Sequence, residues 1–118
     1  MDSSGEALTA SPAQPAGALR VHPLTDRPGW QAIGEITLTA QRAWVQTLHQ
    51  LVLRDEEACH LDLSAVTFVD VAGVSALAAA AQDLPQGRRI VLEDPPAVLR
   101  RVLHLFWPDL DAIEVVVR

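Results

Sequence analysis

Residues 61–77, LDLSAVTFVDVAGVSAL, decide how this chain is read. Cys59 to Leu63 alternates apolar and polar side chains, and Val66-Thr67-Phe68-Val69 continues as an apolar, β-branched run. The pattern predicts a strand, a short break at Ser64-Ala65, and a buried strand end. Asp70 follows at once, and Val71 to Leu84 is alanine-rich and helix-favouring, with Val74, Leu77, Ala78 and Ala81 along one face. A carboxylate is thereby placed beside the unpaired N–H groups that open a helix, above a ledge of small side chains. Two readings of that ledge stand side by side. Asp70 is an ordinary N-cap followed by residues small enough to pack closely, or the ledge is a surface on which something docks.

Upstream, Leu19 to Leu24 alternates, and Pro23 confines this short strand to an edge or an end. Asp26-Arg27-Pro28-Gly29 is a turn signal. Trp30 to Ile36 alternates again, interrupted by Gly34, as a second strand. Thr37 and Thr39 are candidate N-caps for an amphipathic helix of about four turns carrying Trp44, Val45, Leu48, Leu51 and Val52. Asp55-Glu56-Glu57 closes it as a solvated turn.

Downstream, Pro85-Gln86-Gly87 is an exit turn and Arg89 to Leu92 the next strand. Asp94 is expected to cap a helix whose first positions are Pro95 and Pro96, with Val98, Leu99, Val102, Leu103 and Phe106 as its buried stripe. Trp107-Pro108 breaks that helix, and Ile113 to Val117 is the last strand. The order β-β-α-β-α-β-α-β implies βαβ crossovers. The expected fold is an α/β domain: a central, mostly parallel sheet of about five strands, with three to four helices packed mainly on one face.

Composition bounds the rest. The chain has 118 residues, 9 basic side chains that are all arginine, 15 carboxylates and a net charge of −6. One domain is expected, spanning residues 18–118, behind a disordered tail over residues 1–17, where Met1 and Leu8 are the only large apolar side chains. The negative charge argues against a nucleic-acid partner. The N-terminus carries no signal-peptide pattern and no apolar run is long enough for direct membrane insertion, so the expected location is the cytoplasm. Cys59, the single cysteine, excludes an internal disulfide and is read as packed rather than nucleophilic. His22, His49, His60 and His104 fall in separate elements without metal-ligand spacing, and no phosphate-binding glycine loop is present. The expectation is a protein without catalytic residues, metal or cofactor. Trp44 reads as core, whereas Trp30 and Trp107 suit either a lid on the core or a contact surface.

The run LDLSAVTFVDVAGVSAL resembles the signature of the STAS domain, the fold of bacterial anti-sigma-factor antagonists. Gly34-Glu35-Ile36-Thr37 is similar to that family's early Gly-Glu-Leu-Asp strand end, with Thr37 in place of the aspartate. Asp94-Pro95-Pro96 and the helix after it also fit, so the resemblance covers roughly residues 19–117. It implies a protein-binding regulatory module, in signalling and transcription regulation, that docks an anti-sigma factor of the serine-kinase ATPase type. The implied partner-binding residues are Asp70, Val71, Ala72, Gly73, Val74 and Ser75. In the family the kinase reverses binding by phosphorylating a Ser or Thr in this turn. Here the phosphoacceptor position falls on Ala72 and the preceding one on Val71, neither of which can accept a phosphate. The nearest hydroxyls are Thr67 and Ser75, and Ser75 is the possible displaced acceptor. The resemblance thus implies a domain not switched by phosphorylation at this turn. Other STAS domains are subunits on the ATPase of lipid-transporting ABC systems, with a turn resembling Asp-Thr-Ala-Gly that Ala72-Gly73 matches in part. A scaffold in a sensory complex is the remaining role. The sequence leaves the oligomeric state open.

Overall fold

A computed structural model describes residues 18–117; the tail expected over residues 1–17, and Arg118, lie outside the described residues. The elements are β1 (Arg20–Pro23), β2 (Gly29–Ile36), a 3-10 turn (Leu38–Ala40), α1 (Gln41–Leu53), β3 (Ala58–Val69), α2 (Val71–Gln82), β4 (Arg89–Glu93), α3 (Ala97–Phe106) and β5 (Ile113–Val116). They form one sheet of five strands in the order β1-β2-β3-β4-β5. β1 pairs antiparallel with β2, and every other pair is parallel. Because the parallel strands follow one another in chain order, right-handed crossovers put α1, α2 and α3 on the same face. The expected α/β architecture is what forms. Pro23 closes the edge strand β1, where a missing N–H disturbs no inner ladder.

The core lies between that helical face and the sheet. Ile36, Trp44, Leu48, Leu51, Leu61, Leu63, Leu77, Ile90, Leu92 and Leu99 are among its buried members. Cys59 is buried with them, and burial pushes its thiol pKa up although Arg54 pulls the other way, so it is packed as expected.

Several local expectations are corrected. β3 does not break at Ser64-Ala65; it runs unbroken for 12 residues. What interrupts the alternation is two register shifts against β2, between Gln31 and Ile33 and between Gly34 and Glu35, each placing an extra residue on β3. The inward positions accordingly run Cys59, Leu61, Leu63 and then Val66 and Val69, a spacing of two that lengthens to three at each bulge. Asp62 Oδ1 accepts from the Ser64 amide (3.0 Å) and the Ser64 hydroxyl (2.6 Å), holding the first bulge. Thr67 and Phe68 turn outward, so the strand end is only partly buried.

Neither Thr37 nor Thr39 caps α1 with its side chain. β2 passes directly into the 3-10 turn, and α1 starts after Ala40. Asp94 does not stand at the N-cap position of α3, which Pro96 takes: Asp94 adopts φ 50, a left-handed conformation that aspartate tolerates, and the helix starts at Ala97. The inward side of α3 is Leu99 and Leu103, with Val102 partly covered, whereas Val98 and Phe106 are exposed. On α1, Val45 is likewise exposed.

Candidate functional site

The site is built where β2 and β3 end side by side. β4 pairs with β3 only as far as Asp62, so the segment from Leu63 to Val69 continues beyond β4 and is held by β2 alone. At its tip the Asp70 amide donates to the Ile36 carbonyl (3.0 Å), tying the two strand ends together. Asp70 then opens α2, and its Oδ1 accepts from the Gly73 amide at 2.8 Å. The aspartate therefore serves as the N-cap foreseen from the sequence, satisfying one of the helix's unpaired donors.

Gly73 is fixed from both sides. A Cβ there would lie 2.7 Å from Ile36 Cγ2 and 3.2 Å from Val69 Cγ1. The close approach that needs glycine is thus internal, between α2 and the ends of β2 and β3. The fully buried Trp44 donates its indole Nε1–H to the Gly73 carbonyl at 2.9 Å, so α1 braces the first turn of α2.

The six residues expected to bind a partner divide accordingly. Val74 is 1% exposed and belongs to the core, and Gly73 is buried with it. Val71 is 61% exposed, Ser75 is exposed, and Asp70 and Ala72 are partly so. Two apolar side chains that the sequence reading did not include stand nearby in the fold: Leu38, 73% exposed in the turn after β2, and Phe68, 50% exposed at the second β3 bulge. Their signal in the sequence is weak, because Phe68 directly precedes the buried Val69 in one apolar run and Leu38 stands between two threonines just past the buried end of β2. Thr67 Oγ1 donates to the Gly34 carbonyl at 3.3 Å. The result is a lysine-free ledge that carries the Asp70 carboxylate, small side chains and outward-facing Val71, Phe68 and Leu38.

A second cluster escaped the sequence reading. Glu93, at the end of β4, is only 1% exposed and lies on the sheet face away from the helices. Its carboxylate accepts from Arg27 Nε at 2.8 Å and from a second Arg27 nitrogen, and it contacts His60 Nδ1 at 2.8 Å. These bonds raise the Arg27 pKa, so Arg27 is a permanent cation that compensates the buried charge. No hydroxyl or thiol hydrogen-bonds to His60 among the described residues. The cluster ties the β1–β2 turn to β3 and β4 and so carries stability. Glu93→Gln is expected to cost about 1.5–3 kcal/mol, the range for a hydrogen bond to a charged group; urea unfolding measures it. His22, His49, His60 and His104 stand on β1, α1, β3 and α3 respectively. Trp30 is partly buried under the Arg54 guanidinium (5.5 Å to the ring centroid), and Trp107 is partly buried against the core.

A mostly parallel sheet, helices on one face and a capped small-residue turn at the head of α2 define the STAS class of α/β domain. The family model described as Mlab, STAS domain matches residues 30–112, and the chain belongs to that family. Among solved structures, it is similar to an anti-sigma factor antagonist from Mycobacterium paratuberculosis, with TM-score 0.69 and 22% identity over 90% of each chain. It is also similar to the anti-sigma factor antagonist SpoIIAA in its unphosphorylated form, with TM-score 0.61 and 16% identity over 84% of this chain and 87% of that one. The comparison with curated proteins finds no match. Among the described residues, no helix is long and apolar enough to cross a membrane.

Proposed function

We propose that this chain is a protein-binding regulatory module, similar in role to an anti-sigma-factor antagonist, that docks a partner of the anti-sigma serine-kinase ATPase type through the ledge at the head of α2. The observation that carries this reading is the ledge itself: Val71, Ala72 and Ser75 reach solvent on a turn locked by Asp70, Trp44 and the Gly73 packing. A rigid, apolar surface of this kind loses little conformational freedom on binding. Asp70 presents its carboxylate beside the contact, and Val71 supplies the largest side chain of the turn. Binding, rather than catalysis, is the function proposed.

Ala72 gives the module its character. A phosphate at this position would add nearly two negative charges beside Asp70, but alanine cannot carry one. Docking is therefore constitutive, set by the amount of each partner, and Ser75 and Thr67 are not acceptors. Incubation with the partner and ATP is expected to leave the intact mass unchanged. Stoichiometric phosphate on Ser75 or Thr67 would contradict the proposal.

The match to the Mlab, STAS domain model, together with the Ala72-Gly73 pair, favours a second reading: the same ledge seated on the ATPase of a lipid-transporting ABC system. The two readings share the surface and differ in the partner. A photo-crosslinking residue in place of Val71, with one at Gln86 as control, separates them by mass spectrometry of the adduct. Attachment to a kinase-type ATPase from Val71 alone supports the first reading, and attachment to an ABC ATPase the second. Equal attachment from both positions argues against the ledge.

A further inference from the structure

The edge of the sheet opposite β1 carries a different kind of surface. β5 is the outer strand, and no strand pairs with its far side among the described residues. The Ile90 amide donates to the Ala112 carbonyl (2.7 Å) and the Asp94 amide to the Val116 carbonyl (2.8 Å), so the even-numbered residues of β5 face β4. The alternation of a parallel ladder then turns the backbone groups of Val115 outward, with the Ile113 carbonyl on one side and the Val117 amide on the other. The Ile113 amide is already taken by the Leu110 carbonyl at 3.3 Å.

Beside this edge runs a groove of about 250 Å³ between α3 and β5. Leu103, Trp107, Leu110, Ile113 and Val115 give it apolar walls, and Arg100 and His104 stand on the α3 side. No carboxylate lines it. Arg27, Arg54, Arg88 and Arg89 all form ion pairs, whereas Arg100 and its neighbour Arg101 form none among the described residues. In a chain of net charge −6, this is a cationic lip over an apolar groove next to an open strand edge.

We infer that the α3–β5 groove takes an extended peptide segment of another protein, which adds as a strand to β5. The segment carries a carboxylate near a large aliphatic or aromatic side chain. Its main chain pairs with Val115, and alternate side chains drop into the groove, which is the geometry of strand addition to a sheet edge. The carboxylate meets Arg100, whose planar guanidinium suits it. A second copy of the chain fits less well, because it brings the same net negative charge and its own Glu114 to the edge.

The test uses the full chain and a library of short random peptides displayed on phage, followed by titration of the enriched peptides. Enrichment of peptides pairing an acid with a large apolar residue is expected. Val115→Pro removes an outward N–H that the sheet does not use, an edge position where proline is tolerated. It is expected to weaken binding roughly tenfold or more while circular dichroism stays native. Arg100→Glu, on an exposed side chain, is expected to do the same, and keeps the test decisive if Val115→Pro misfolds. Val71→Asp, on the ledge, is expected to leave peptide affinity unchanged, which separates this surface from the one proposed above. Absence of enriched peptides, affinity indifferent to both groove variants, or self-association of the chain through β5 would overturn the inference.

Discussion

Trp44→Ala is expected to lower the stability of this domain by about 4–6 kcal/mol. The indole is fully buried, and truncating a buried aromatic leaves a cavity that costs roughly 3–5 kcal/mol. Loss of the bond to the Gly73 carbonyl adds about 1 kcal/mol. Such a loss is a large fraction of the total stability of about 5–15 kcal/mol that is typical of a single domain. Trp44→Phe separates the two contributions. It keeps most of the apolar ring, removes the hydrogen bond, and is expected to cost about 1–2 kcal/mol. Chemical denaturation of both variants checks the ordering. Because Trp44 braces the first turn of α2, Trp44→Phe is also expected to speed amide exchange at Val71–Val74 ahead of the rest of α2.

Gly29→Ala is expected to prevent folding. The first residue of β2 has φ 139, and a Cβ there would stand 1.8 Å from the His60 carbonyl oxygen. Neither side can yield cheaply: both are backbone, and the His60 amide is bonded to the Pro28 carbonyl at 2.8 Å. A loss of more than about 4 kcal/mol is expected, in the range seen only for severe backbone or core damage. Gly87→Ala is the control. Gly87 also has positive φ, 89, but a Cβ there meets nothing within 4 Å, so only conformational strain of about 1–3 kcal/mol remains. Folded yield and urea midpoints of the two variants distinguish clash from strain.

These residues mark how far the sequence could be read. The strand and helix order was legible because apolar alternation and helical spacing survive in most segments, and Asp70 was legible as a cap because it sits between a strand and a helix-favouring run. β3 was read as broken because each bulge lengthens its inward spacing from two residues to three, which period-two alternation cannot represent. α3 carries more apolar residues than its contact needs, and periodicity alone does not say that Leu99 and Leu103 face inward while Val98 and Phe106 face solvent. Glu93 directly follows the strand expected over Arg89 to Leu92, and no local pattern marks it as buried. Its partner Arg27 lies 66 residues away, in what reads as a simple turn. Gly29 reads as part of that turn, and only the register of β2 on β3 shows why a side chain is excluded. Within the ledge, the motif supplied the position, but burial divided it, assigning Val74 and Gly73 to packing and Val71, Ala72 and Ser75 to the surface.

The central claim, that a protein partner docks on the head of α2, is tested most directly by comparing the affinity of the wild-type chain and Ala72→Asp for the protein crosslinked from Val71. Ala72 is partly exposed in the first turn of α2, where a carboxylate suits the helix dipole, so the variant is expected to fold with unchanged thermal stability. The added charge beside Asp70 is expected to weaken binding roughly tenfold or more, as a like charge does at a contact that excludes water. A folded Ala72→Asp chain that binds the partner as tightly as the wild type would contradict the account.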